Sequence, residues 1–394
     1  MQKPVRAPYS GPVLFSYGFR PFFLLAGLFA VLVVPLWMAV WSGSITLNSP
    51  FTPIDWHIHE MLFGYTSAVI AGFLFTAIPN WTGRMPTRGW PLVVLAALWL
   101  AGRLAVAGAF GGGPVLVMVV DCAFMAAIGA MVVTEIVAGR NWGNLKVVLP
   151  VVFYLAANVV FHLEAMTQGY ADIGRRLGFS MVALLIALIG GRIIPSFTRN
   201  WLAKRPAPGP LPVPFGRFDA VSLGITLAAL LAWVVWPDAM IAGVSLLVAG
   251  AAQALRLSRW RGWRVWRSPL LLMLHLAFAF IPLGLAAIGL TALGLLSAAT
   301  GLHLLGIGGF GGMTLAVMMR ASLGHTARPL EAGPLLAMAF AGVALAAVVR
   351  VSVPSGAGLW VAASLWTLGF AVFVWRIAPV LTRPNPARRM PGGR

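Results

Sequence analysis

The feature that most constrains this chain is a series of apolar runs of about twenty residues, each closed by glycine, proline or charge. They fall at 20–41, 56–79, 90–109, 114–137, 146–168, 176–195, 218–236, 239–257, 268–289, 292–319, 332–350 and 357–379. A hydrocarbon core of roughly 30 Å is crossed by about 20 helical residues, so each run is long enough to span a bilayer. A composition of 60% hydrophobic and only 9% charged residues, with mean hydropathy +0.90, excludes a soluble fold. The expectation is an all-α integral membrane protein of about twelve transmembrane helices, a single polytopic domain over 1–394. Lys3 and Arg6 precede the first run in the manner of a signal peptide, but the run is too long and lacks a small-residue cleavage site, so it reads as a retained first span.

Orientation follows from lysine and arginine, which collect in short cytoplasmic connections. With both termini cytoplasmic, that side takes all of the 28 basic residues except Arg103, Arg175, Arg176 and Arg350. The formal charge of +19 therefore reports topology and contact with anionic lipid at the cytoplasmic face, not a nucleic-acid partner. The longest cytoplasmic connections are the proline-rich stretch 204–217 and the stretch 256–267, where Trp260, Trp263 and Trp266 alternate with arginines as in an interfacial belt. The single cysteine, Cys122, excludes an intramolecular disulfide and a cysteine-only metal cluster.

A faint internal repeat is visible. The second and sixth runs end Ile78-Pro79-Asn80-Trp81-Thr82 and Ile194-Pro195-Ser196-Phe197-Thr198, and Arg192 precedes Thr198 by the spacing that separates Arg320 from Thr326 near the end of the tenth. A feature recurring every four helices fits three four-helix units.

Six histidines and nine carboxylates are few, and ionisable groups at membrane depth are costly enough to mark function. His57 and His59 open the second span and point about 200° apart on a regular helix, so they face two different partners. His162 and Glu164 lie about 9 and 6 Å below the outer end of the fifth span, near the same depth, and Arg103 approaches that layer. Imidazoles from two helices with an arginine suit a bis-histidine haem or a copper ion; they equally suit a hydrogen-bonded polar cluster. His275 sits about 10 Å into the ninth span, and His303 falls near the middle of the tenth, ahead of the glycine-rich 306–313. Those glycines let backbones approach closely or admit a flat macrocycle. Arg192, Arg320 and His325 lie at the cytoplasmic edge, able to hold cofactor carboxylates or to form a solvated positive rim. No hydrolase triad, carboxylate dyad or metalloprotease helix is present.

Several motifs in order resemble the NnrS family of bacterial membrane proteins over most of the chain. They are 18–23 (GFRPFF), 56–64 (WHIHEMLFG), 78–83 (IPNWTG), 191–195 (GRIIP), Leu274-His275-Leu276, His303 with its glycines, and 319–326 (MRASLGHT). The resemblance implies a twelve-helix inner-membrane protein associated with haem and copper and taking part in the response to nitric oxide. His57, His59, His275, His303 and His325 fall in family-like motifs as candidate ligands; His162 is carried by depth alone, and Arg103, Arg192 and Arg320 are candidates for cofactor carboxylates. Ala327 stands where the motif suggests glycine.

Binding, sensing and catalysis all remain compatible with these residues, as do two other functions: a secondary transporter using His162, Glu164 and Arg192, or an accessory factor docking a respiratory complex through Arg259 to Arg267. The charge distribution itself makes a first prediction. A fluorescent protein fused to the C-terminus is expected to fluoresce while alkaline phosphatase fused at the same point stays inactive; the opposite pattern would reverse the topology.

Overall fold

Residues 9–205 and 209–386 are described by a computed structural model; Lys3, Arg6, Arg388, Arg389, Arg394 and the centre of the proline-rich connection lie outside them. Helix is the only regular structure among the described residues, because in hydrocarbon a backbone amide has no water to bond and a helix satisfies each group within its own segment. The twelve helices are α1 (Phe19–Trp41), α2 (Pro53–Thr82), α3 (Trp90–Val106), α4 (Pro114–Ala138), α5 (Val148–Gln168), α6 (Ile173–Leu202), α7 (Arg217–Val235), α8 (Met240–Ser258), α9 (Pro269–Ala292), α10 (Ala298–His325), α11 (Gly333–Ser352) and α12 (Ala357–Thr382). Eleven are long and apolar enough to cross a membrane, and α3 is a shorter apolar helix of 17 residues, so the chain is a multi-pass membrane protein.

Arg20, in the first turn of α1, donates to the carbonyls of Val380, Leu381 and Arg383 at 3.3, 2.6 and 3.1 Å. These bonds satisfy carbonyls that the last turn of α12 cannot pair internally, and they bring both ends of the bundle's chain to one side, the terminal end. Consecutive helices pack on one another around the molecule, and α12 closes the circuit against α1.

The three longest members, α2, α6 and α10, touch one another. Tyr65 of α2 donates to Thr314 Oγ1 of α10 at 2.7 Å, Phe179 of α6 packs against Phe310 of α10 at 5.6 Å, and Gly178 of α6 lies against Leu62 and Phe63 of α2. The helices that recur every four in sequence are therefore those that meet inside.

α2 and α10 also share an interruption. Each starts with a short α-helical piece at the far end, passes through a π-helical segment (Glu60–Tyr65 and Leu304–Gly311), and resumes as α-helix. A π turn carries one residue more per turn and loosens the carbonyl ladder, a feature common at functional sites. In α2 the loosened carbonyls find side chains: Leu62 accepts from the Tyr154 hydroxyl, Gly64 from Trp99 Nε1 at 3.0 Å, and Met61 from Thr66 Oγ1 at 2.9 Å.

The far end differs from the sequence reading in one place. α10 begins at Ala298 and not at 292, because Gly294, with φ +75°, breaks the chain inside the apolar stretch Leu293-Gly294-Leu295-Leu296. His303 consequently lies in the second turn of α10, near the far end of the bundle, and not at its middle. In the 256–267 stretch, Arg256 belongs to α8 and is buried against Asp219 at 3.0 Å, and Trp260 is buried 4.5 Å from Phe278, while Trp263 and Trp266 are exposed.

The α2–α6 contact depends on Gly178, where an added Cβ would come within 2.8 Å of the Phe63 ring and 3.1 Å of Leu62. Gly178→Leu is expected to destabilise the protein by about 1–3 kcal/mol, read as a lowered Tm in detergent, while Leu368→Ala on the exposed face of α12 leaves it nearly unchanged.

Candidate functional site

The short first piece of α2 is positioned by its ends. Thr52 caps it, accepting from the Asp55 amide at 3.2 Å, and Asp55 accepts in turn from the backbone of Ala171 at 3.2 Å. Glu164 accepts from the amides of Asp172, Ile173 and Gly174 at 3.1, 2.9 and 2.7 Å, placing a carboxylate on the positive end of α6. From this anchored start His57 and His59 leave α2 on opposite sides, as their two-residue spacing requires.

His59 enters a buried polar cluster built by α2, α3, α4 and α5. Asp121 is its hub: Oδ2 lies 3.1 Å from both His59 Nε2 and His162 Nε2 and accepts from Asn158 Nδ2 at 2.7 Å. Its other oxygen accepts from Arg103, which also donates to Glu60 Oε2 at 2.8 Å. Asn158 Oδ1 is 2.9 Å from His59 Nε2. The rings of Phe51, Phe63 and Phe161 stand 4.8, 5.4 and 5.3 Å from His59 and close the cluster to solvent. Gly64 makes room for the ion pair, since a Cβ there would strike both Arg103 and Glu60. Even so, His59 Nδ1, His162 Nδ1 and Glu60 Oε1 are buried without a hydrogen-bond partner.

His57 faces the other way, into a cavity of about 420 Å³ at the far end. Its lining comes from α1, α2, α6, α10, α11 and α12 and is mostly aromatic and aliphatic, including Trp37, Met38, Phe179, Ile307 and Trp366. The polar groups in it are few: His57, His303, Tyr65, Thr66, Arg175 and Arg350. His57 stacks on Trp37, with ring centroids 4.5 Å apart and planes within 9°. His303 Nδ1 is 2.7 Å from the Ala299 carbonyl, so that nitrogen carries the proton and Nε2 keeps its lone pair. Both imidazoles and Arg350 line this cavity. Arg175 is paired with Asp172 at 2.8 Å, and Arg350 donates to the Pro354 carbonyl at 3.4 Å. An apolar cavity of this size with a few convergent polar groups is the usual form of a small-molecule site.

The remaining residues marked in the sequence lie elsewhere. His275, between α6 and α9 towards the terminal end, is 2.9 Å from Thr198 Oγ1 and is a buried, singly bonded core imidazole. His325 is the exposed last residue of α10, flanked by Tyr17 and Phe19 at 6.1 and 5.4 Å. Arg192 lies 5.3 Å over Phe215 and Arg320 4.0 Å over Phe197, both at the terminal end and away from the cavity. Arg103 joins the histidine layer as expected, but held between two carboxylates. Sequence reasoning missed Asp121 and Asn158. It also read Arg175 and Arg350 only as topology markers. A signal for Asp121 was available: a carboxylate at the eighth position of a 25-residue span is too deep to reach the interface without a partner.

A family model described as NnrS protein matches residues 13–385, nearly the whole chain, and the protein belongs to the NnrS family. No curated protein matches it.

Arg103 is the cation between Glu60 and Asp121, so Arg103→Met leaves buried carboxylates uncompensated. The expected cost is about 3–5 kcal/mol, seen as a lower Tm and lower yield from membranes. Adding Asp121→Asn to that variant should recover part of the loss, and no recovery would show that the ion pair is not its source.

Proposed function

We propose that this member of the NnrS family is a haem- and copper-binding protein of the bacterial inner membrane that acts in the response to nitric oxide, with both termini in the cytoplasm and anionic lipid against its basic face. The observation carrying this reading is the convergence of His57 and His303, from two helices and each just ahead of a π-helical segment, on one apolar cavity.

The residues present suit haem. The Ala299 carbonyl holds the His303 tautomer that leaves Nε2 free to ligate iron, and a backbone acceptor on the opposite nitrogen is the usual way a ligating imidazole is oriented. Stacking on Trp37 sets the plane of the His57 ring. Arg175 and Arg350 stand in the lining where charge-assisted bonds to propionate carboxylates would form. Trp37, Phe179, Ile307 and Trp366 supply the flat apolar walls that a macrocycle needs and keep water from its faces. Gly306 contributes no side chain on the side of α10 that faces the cavity. Haem bound there would supply an iron able to bind nitric oxide or exchange an electron with it. Nitric oxide is small, uncharged and soluble in hydrocarbon, so an apolar cavity at membrane depth does not exclude it.

Detergent-purified protein expressed with ample haem is expected to absorb in the Soret region and to shift those bands when nitric oxide is added. Alanine at His57 or His303 should remove more than half of that absorbance, whereas alanine at His275 or His325 should leave it. A full Soret band in both the His57 and His303 variants would overturn the ligand assignment.

A further inference from the structure

We propose that the buried cluster on the other side of α2 is a metal site distinct from the cavity, in which His59, His162 and Asp121 ligate one first-row transition-metal ion. The proposal is compatible with the haem reading but stands on the cluster's own geometry.

Three observations carry it. The first is the arrangement of donors. Nε2 of His59 and Nε2 of His162 both lie 3.1 Å from the same oxygen of Asp121, and the three ligand atoms fall within 4.8 Å of one another. Ligands about 2.0–2.1 Å from an ion at tetrahedral angles are separated by about 3.3 Å. Two of the three separations in the cluster thus match the edge of a coordination polyhedron, and Asn158 Oδ1, 2.9 Å from His59 Nε2, is a further oxygen beside it.

The second is a hydrogen-bond account that does not close. His59 Nε2 faces two acceptors, Asp121 Oδ2 and Asn158 Oδ1, and can offer at most one proton. Meanwhile His59 Nδ1 and Glu60 Oε1, 3.7 Å apart and both buried, have no hydrogen bond at all. Moving the His59 proton to Nδ1 resolves both faults: Nδ1–H turns to Glu60, and Nε2 presents its lone pair to an ion. Glu60 would then orient His59 as outer-shell carboxylates orient metal-bound histidines.

The third is charge. Two carboxylates, Glu60 and Asp121, face one guanidinium, Arg103, in a volume from which three phenylalanine rings exclude water. With neutral imidazoles the cluster holds one negative charge too many, which a buried site tolerates poorly. A cation at the imidazole nitrogens offsets that charge, a monovalent one bringing the cluster to zero and a divalent one to +1. Two imidazoles and one carboxylate suit copper and zinc, and copper leads in affinity for such donors.

The test uses full-length protein in detergent, stripped with a chelator and then titrated separately with copper and with zinc chloride, with bound metal counted by elemental analysis and haem by its Soret band. Wild type is expected to take up one ion per chain and to melt at a higher temperature when loaded. His162→Gln and Asp121→Asn should lose most of that uptake with the Soret band unchanged, and His303→Ala should lose the Soret band and keep the ion. Wild type that is folded, by its melting transition, yet takes up neither metal overturns the proposal without recourse to any variant. Uptake undiminished in folded His162→Gln overturns it as well. A missing Soret band in wild type counts against the haem reading alone, because the ion count is read independently.

Discussion

Arg103 caught between Glu60 and Asp121 is the interaction on which the far half of the bundle depends. The guanidinium comes from α3 and the two carboxylates from α2 and α4, so one buried cation ties three helices; Asp121 then extends the tie to α5 through Asn158 and His162. Between apolar helices in lipid there is little hydrophobic gain in choosing one neighbour over another, and specificity has to come from close packing and polar contacts. The ion pair supplies that choice. It also fixes the rotation of α2, because Glu60 can reach Arg103 only if His59 faces the cluster and His57 faces away from it.

The π-helical segment of α2 is the second half of the same arrangement. It begins at Glu60, directly after His59, and ends at Tyr65, which bonds to α10. The two-residue spacing of His57 and His59 ahead of it, and the segment itself, let one element serve the cluster with His59 and Glu60 and the cavity with His57, Met61 and Tyr65. The loosened carbonyls would be costly at membrane depth if they stayed unpaired. Tyr154, Trp99 and Thr66 pair them, and those side chains are as much a part of the site as the histidines.

Most of the fold was legible because it is written in hydropathy. The limits read for the fourth and twelfth helices, 114–137 and 357–379, sit within a few residues of Pro114–Ala138 and Ala357–Thr382. The start of α10 was not, since the turn before it is leucine-rich and only the backbone of Gly294 marks the break. That six-residue displacement mattered: it moved His303 from an apparent mid-membrane position to the far end, where it lines the same cavity as His57. Periodicity correctly separated His57 from His59, and depth correctly joined His59, His162 and Arg103. What neither could supply was the hub. Its depth in the fourth span marks Asp121 as needing a partner, but that four helices turn toward it is a property of tertiary packing that no local pattern records.

The two polar regions lie one helix apart and share no side chain, yet His57 and His59 are separated by a single residue. A displacement of α2 that shifted His57 in the cavity would also move His59, two residues on, within its cluster of short contacts. The π-helical segment sits just where such a shift could be taken up, between the two histidines and the long, well-packed remainder of α2. The opening turns of α2 thus serve both regions, with His57 in the cavity and His59 in the cluster.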